Sequence, residues 1–112
     1  MSSAPVTVKL CDVDSLTNGD IRVADIDGRP VAYARIDDQW LAIDDTCSHA
    51  HVSLADGYLE SDDRTIECPR HGALFSLESG EALTFPATKP VASHEVEVRG
   101  AEVFVTIQGD ET

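Results

Sequence analysis

The chain reads as all-β. Three observations carry that reading. Short runs rich in Val, Ile and Thr recur along its length, and Gly, Asn or Asp turn signals punctuate them. Asp27-Gly28 sits between two apolar stretches, a strong hairpin signal. The first third carries no helical period, so that part reads as a β-meander.

Taken in order, residues 6–11 alternate apolar and polar and predict a strand ending at Cys11, read as a small buried hydrophobe rather than a further sulfur ligand. Asn18-Gly19 turns the chain. Residues 20–26 and 30–36 form the hairpin around Asp27-Gly28-Arg29, and Asp37-Asp38 leads into a strand over 39–43, where Trp40 is expected to pack in the core or at an edge. The pattern then changes. Residues 44–54 are polar and do not alternate, and Asp56-Gly57 turns the chain again. Residues 58–60 and 65–67 predict short strands around a polar tip, residues 61–64. Residues 74–77 resume extended structure, residues 78–81 turn, and residues 84–90 form a loop containing Pro86 and Pro90. Residues 94–99 alternate, which predicts a strand with His94 as a surface residue. After a turn over 99–102, Val103, Val105 and Ile107 line one face of a last strand, and residues 108–112 read as a tail. With no repeat and no linker, residues 1–112 are expected to form a single domain, with a lobe over about 45–88 inserted in a larger antiparallel body.

Charge narrows the function. Eight basic side chains against 21 acidic ones give a net charge of −13. Nucleic acid and anionic membranes repel such a chain, whereas a partner with a basic patch attracts it. The bland alternative is a solvated acidic surface. No targeting segment is visible at Met1 to Pro5, and the apolar runs are far shorter than a membrane span. Three cysteines, an odd count, suit a reducing cytoplasm better than a disulfide scaffold.

The chemistry is concentrated in two short segments. Cys47-Ser48-His49 is answered by Cys68-Pro69-Arg70-His71, with the predicted hairpin between them to bring the segments together. Each gives one thiolate and one imidazole. A metal site explains both pairs, and iron–sulfur and zinc are the competing metals. Zinc fingers usually place Cys with Cys and His with His, whereas each segment here is mixed. A Cys–His nucleophile and base would leave the second pair unexplained. Chance placement of ordinary side chains is the remaining reading.

The wider context is more specific. Cys47-Ser48-His49, then Cys68-Pro69-Arg70-His71-Gly72-Ala73-Leu74-Phe75, a turn with Gly80 and a loop around Pro86 closely resemble the Rieske ferredoxin family, and the likeness runs over residues 6–107. The resemblance implies the Rieske fold: stacked antiparallel sheets with an inserted cluster-binding lobe. It implies one [2Fe–2S] cluster, with Cys47 and Cys68 on one iron, His49 and His71 on the other, and the Pro86 loop as a further wall. It also implies a one-electron carrier rather than an enzyme. Such a carrier takes electrons from an NAD(P)H-dependent flavin reductase and passes them to a terminal Rieske oxygenase that hydroxylates aromatic rings. Accessory Rieske ferredoxins associated with iron–sulfur cluster assembly are the alternative within the resemblance, and a zinc-stabilised binding module is the alternative outside it. A cluster iron with four ligands has no open position for substrate. The chain is also expected to be too short for the second iron site of a full Rieske oxygenase. His49 and His71 are the expected docking and transfer face, with His51 an exposed neighbour rather than a ligand.

Ligand type sets an expectation for the potential. With two ferric ions, two sulfides, two thiolates and neutral imidazoles, the oxidised centre sums to zero, so it accepts an electron more readily than a four-Cys cluster. High-potential relatives carry an extra cysteine in each loop and hydroxyls after the second. Here those positions are Val52, Arg70, Ala73 and Phe75, which allow no disulfide and donate no side-chain hydroxyl to sulfur. A low-potential member of the class is expected. Gly72 and Gly80 are expected at tight turns.

Overall fold

The computed structural model describes residues 5–48, 51–70, 72–85 and 87–107. Two antiparallel sheets account for its strands. β1 (Val6–Asp12), β2 (Asp20–Ile26), β3 (Arg29–Ile36), β4 (Gln39–Asp44), β8 (Ser93–Arg99) and β9 (Glu102–Ile107) form a six-stranded sheet. Its order is β1-β9-β8-β4-β3-β2. Between β4 and β8 in the chain, β5 (Tyr58–Glu60), β6 (Thr65–Glu67) and β7 (Leu74–Ser76) form a three-stranded sheet of their own. The all-β expectation and its strand positions hold. Two single turns of 3₁₀ helix, Val13–Ser15 and Leu54–Asp56, are additions the alternation pattern did not signal.

Local chemistry sets the register. In the β2–β3 hairpin Ile26 faces Arg29, so Asp27 and Gly28 form a two-residue loop with φ of +54° and +83°. Asp25 Oδ1 accepts the Gly28 N–H at 2.7 Å. Positive φ at both central residues gives the twist that matches the strands. The β3–β4 loop repeats the device with Asp37 and Asp38, at φ of +51° and +65°. Aspartate tolerates this region because its short side chain bonds locally. Here Asp38 Oδ1 accepts from Arg35 at 2.9 Å, and Asn18 Oδ1 accepts the Asp38 N–H at 2.8 Å.

β3 and β4 are central strands, and both of their faces are covered. Ala32, Ala34 and Ile36 face one way with Leu41 and Ile43, while Val31 and Tyr33 face the other with Trp40 and Ala42. Cross-strand pairing puts Ala32 opposite Ile43 and Tyr33 opposite Ala42, which keeps each set on one face. The second set packs with Val103, Val105 and Ile107 of β9 and with Leu16. Trp40 is buried there, with the Arg35 guanidinium 5.6 Å from its ring centre. Cys11 is half-buried against this same core, and burial pushes its thiol up.

The first set packs against the segment between β4 and β8. Leu54, Ile66, Phe75, Leu77, Cys47 and Cys68 are buried in one cluster with Ala32, Ala34, Ile36, Leu41 and Ile43. Phe75 and Ile66 are fully buried, and each such side chain contributes about 1.5–3 kcal/mol relative to exposure. The inserted segment is therefore seated on the large sheet by a shared apolar core.

His94 departs from expectation. The alternating run suggested a surface residue, but the His94 side chain is fully buried. It lies opposite Ala42 where β8 pairs with β4, so β4 covers it. Its Nε2 is 2.9 Å from Asp44 Oδ1, which also accepts from Arg29 Nε at 2.9 Å. Arg29 Nη2 donates to Asp44 Oδ2 at 3.1 Å, completing a two-pronged pair. Burial pushes the Asp44 carboxyl up, but the His94 and Arg29 hydrogen bonds outweigh it and hold the group below the usual carboxylate range. This cluster joins β3, β4 and β8 at the point where the chain leaves and re-enters the large sheet.

Candidate metal centre

Each cysteine opens a closed loop. Cys47 follows β4, and its N–H donates to the Val52 carbonyl at 3.1 Å. A bridge between Thr46 and Ser53 narrows the neck of this loop. Asp45 braces it from below. Its buried carboxylate accepts the Ala55 N–H at 2.9 Å, its carbonyl accepts from Leu54, and its N–H donates to the Pro30 carbonyl. Cys68 follows β6. Its N–H donates to the Ala73 carbonyl at 2.7 Å, and its own carbonyl accepts the Gly72 N–H at 3.0 Å. Gly72 has a φ of +76°, which closes this turn without a Cβ penalty.

Gly57 brings the two loops together. A Cβ there would stand 1.7 Å from the Glu67 carbonyl oxygen and 3.1 Å from Pro69 Cδ. Only glycine lets the turn after the first loop lie against the strand end that leads into the second. Leu83, Thr84 and Lys89 are tied to the same end. Leu83 N–H donates to the Leu74 carbonyl, Leu74 N–H donates to Thr84 Oγ1, and Ser48 Oγ donates to the Lys89 carbonyl. Three segments thus meet at the end of the lobe.

The two cysteines are 4 % and 1 % exposed, lie in the same core, and take part in no disulfide. Two buried thiols presented from adjacent loops suit a thiophilic metal centre. His49 and His71 lie outside the described residues, as does Pro86. Among the described residues, no three His, Cys, Asp or Glu side chains gather as a metal site. His51 is exposed. Arg70 is exposed, Val52 packs at the margin of the core, and Ala73 and Phe75 are fully buried. The positions where hydroxyls were missed are thus filled by apolar packing.

A family model for the Rieske [2Fe–2S] domain matches residues 6–95. The chain belongs to the Rieske [2Fe–2S] domain family. The family's cofactor is one [2Fe–2S] cluster per domain, and the buried cysteine pair fits it. Among Rieske proteins, the chain is 36 % identical over 102 residues to the 3-phenylpropionate/cinnamic acid dioxygenase ferredoxin subunit of Photorhabdus laumondii. That alignment covers 91 % of this chain and 95 % of the relative. The ferredoxin of carbazole 1,9a-dioxygenase from Nocardioides aromaticivorans superposes with a TM-score of 0.85 at 34 % identity, covering 92 % of this chain and 97 % of that one. A ferredoxin chain matches at 38 % identity and a TM-score of 0.80 in a complex of reduced oxygenase and oxidised ferredoxin of carbazole 1,9a-dioxygenase, covering 88 % of this chain and 99 % of that chain. No helix among the described residues is long and apolar enough to cross a membrane.

Sequence reasoning missed three parts of this arrangement. The Arg29–Asp44–His94 cluster joins residues 15 and 50 positions apart, and no local pattern signals it. The bracing role of Asp45 is equally non-local. Gly57 was legible as a turn residue, but not as the close approach between the loops.

Proposed function

We propose that this chain is a soluble, cytoplasmic one-electron carrier that forms a single domain over residues 1–112, with its cluster-binding lobe over about 45–88. Cys47 and Cys68 hold one iron and His49 and His71 the other. The cluster, when bound, supplies reversible one-electron transfer. The protein's part is to hold, shield and present it. Cys47 and Cys68 anchor the sulfur side inside the apolar core, where water is excluded. The hydrogen bonds that the Cys47 and Cys68 N–H groups donate to the Val52 and Ala73 carbonyls fix the positions of the two cysteines. Electrons arrive from an NAD(P)H-dependent flavin reductase and leave to a terminal Rieske oxygenase that hydroxylates an aromatic ring. The likeness to dioxygenase ferredoxins supports that choice of acceptor.

One observation carries the reading: two cysteines from separate loops are buried in one core. Purified native protein tests it first. A red-brown protein containing iron and acid-labile sulfide is expected, and a colourless, iron-free protein would overturn it in favour of zinc. Turnover of an aromatic substrate by reductase and oxygenase, with and without the chain, tests the pathway. Turnover that does not depend on the chain would count against it and leave a role in cluster assembly.

A further inference from the structure

A carboxylate stands at the foot of each cysteine loop. Asp45 precedes Cys47 by two residues and is 4 % exposed. Its Oδ1 accepts the Ala55 N–H at 2.9 Å, and its carbonyl accepts the Leu54 N–H at 2.7 Å. The residue therefore clasps the far end of the loop that Cys47 opens, and that loop lends Cys47 and Leu54 to the apolar core. Asp44 beside it is paired with Arg29 and His94. Among the described residues, no Lys, Arg or His nitrogen pairs with Asp45. Glu67 is its counterpart in the second loop. It ends β6 immediately before Cys68 and is half-buried. Its Oε2 lies 3.8 Å from where a Cβ on Gly72 would stand, so the carboxylate leans over the turn that Cys68 opens. Among the described residues it too lacks a cationic partner.

Resting on the carrier reading above, we infer that Asp45 and Glu67 hold the reduction potential down, Asp45 more than Glu67, and that Asp45 separately positions the Cys47 loop. The oxidised centre assigned to these loops sums to zero, and one electron makes it −1. A fixed negative charge beside it opposes that electron. The opposition grows where water is excluded, because the effective dielectric constant falls. Burial therefore sets the order. Asp45 is buried, Glu67 is half-buried, and carboxylates on the open surface are screened by water and salt. Two of the 21 acidic side chains thus weigh more on the potential than their number suggests. Their effect is separate from that of Ala73 and Phe75, which act by donating no hydroxyl.

Spectroelectrochemistry of the complete, cluster-loaded chain at neutral pH tests the charges. Asp45→Asn keeps an oxygen for the Ala55 N–H and removes the charge. At a fixed electrode potential its ratio of reduced to oxidised chain should rise at least about tenfold, which is about 59 mV for a one-electron couple. Glu67→Gln should raise the ratio about threefold, and Asp63→Asn, on the exposed tip beyond the other end of β6, by less than about twofold. A ratio for Asp45→Asn no higher than that for Asp63→Asn would overturn the proposal. Loss of the cluster in Asp45→Asn would overturn it too, because that variant keeps the clasp. Asp45→Ala removes clasp and charge together. In the chain as purified, its iron content should fall below that of Asp45→Asn, and its Leu54 and Ala55 amides should exchange at least about tenfold faster. Iron content and exchange both equal to those of Asp45→Asn would remove the positioning role. A colourless wild-type chain would sink the carrier reading and the charge effect with it, while the exchange rates would still decide the clasp.

Discussion

The two cores of the molecule are built differently. The core that β3 and β4 share with β9 is assembled from strands of six to eight residues, held by antiparallel ladders. The core under the lobe takes its far side from strands of three residues and from loops, with Cys47 and Cys68 among its buried members. Three-residue strands have few ladder bonds to hold them. Position there comes from close approaches, such as Gly57 against Glu67, and from side chains that reach across long separations. The lesson is that the large sheet is a scaffold set by its own hydrogen bonds, whereas the lobe depends on its packing. A metal held there would couple its binding to folding.

That contrast can be broken in graded ways. The largest effect is expected from Cys47→Ser or Cys68→Ser. Either should abolish cluster retention, read as loss of visible absorbance and iron, while the far-ultraviolet circular dichroism of the large sheet survives. Next is Gly57→Ala. Its Cβ meets backbone rather than a movable side chain, so the loops must part. Cluster content should fall sharply, and hydrogen exchange should quicken in the lobe before it does in β3 and β4. Wild-type exchange in such a variant would contradict the dependence on close approach. Phe75→Ala comes third, at about 3–5 kcal/mol from lost burial and the remaining cavity, measured by denaturant unfolding.

The smaller effects sharpen the join between the two regions. Asp44→Asn should cost about 1–3 kcal/mol, a range reduced because the carboxylate is 25 % exposed. Asp44 also gives a pH signature. Its folded carboxyl sits below the usual range, because the His94 and Arg29 hydrogen bonds outweigh the opposing effect of burial. Its contribution is therefore present above the unfolded pKa and lost as pH falls through the lower folded value. The stability gap between wild type and Asp44→Asn should close on acidification, and a gap that widened would contradict the assignment. Smallest in structural terms is Ala73→Ser plus Phe75→Tyr. Both positions are fully buried, so new hydroxyls there would point at polar partners or remain unsatisfied. With sulfur as the acceptor, the potential should rise in voltammetry; an unchanged potential would separate these positions from the cluster.

Most of the scaffold was legible because its signals are local. Asp27-Gly28 and Asp37-Asp38 announce hairpins whose register the alternation then carries. Cys47 and Cys68 were legible as candidates for a different reason: each shares a short segment with a histidine, and the fold then buries both thiols in one core. What could not be read depends on partners distant in the chain. His94 alternates like a surface residue, and only the return of β8 beside β4 buries it against Asp44. Phe85 and Leu83 look like ordinary apolar residues near a proline, and only the folded lobe leaves them uncovered.

The central claim is a cluster held by Cys47 and Cys68 on one iron and by His49 and His71 on the other. Pulsed electron paramagnetic resonance of the dithionite-reduced protein tests it most directly, with histidine nitrogens labelled with ¹⁵N and His49→Cys and His71→Cys variants alongside. The account predicts couplings from two histidine nitrogens in the wild-type protein and loss of one in each variant. A wild-type spectrum without histidine coupling, or one that either substitution leaves intact, would contradict it.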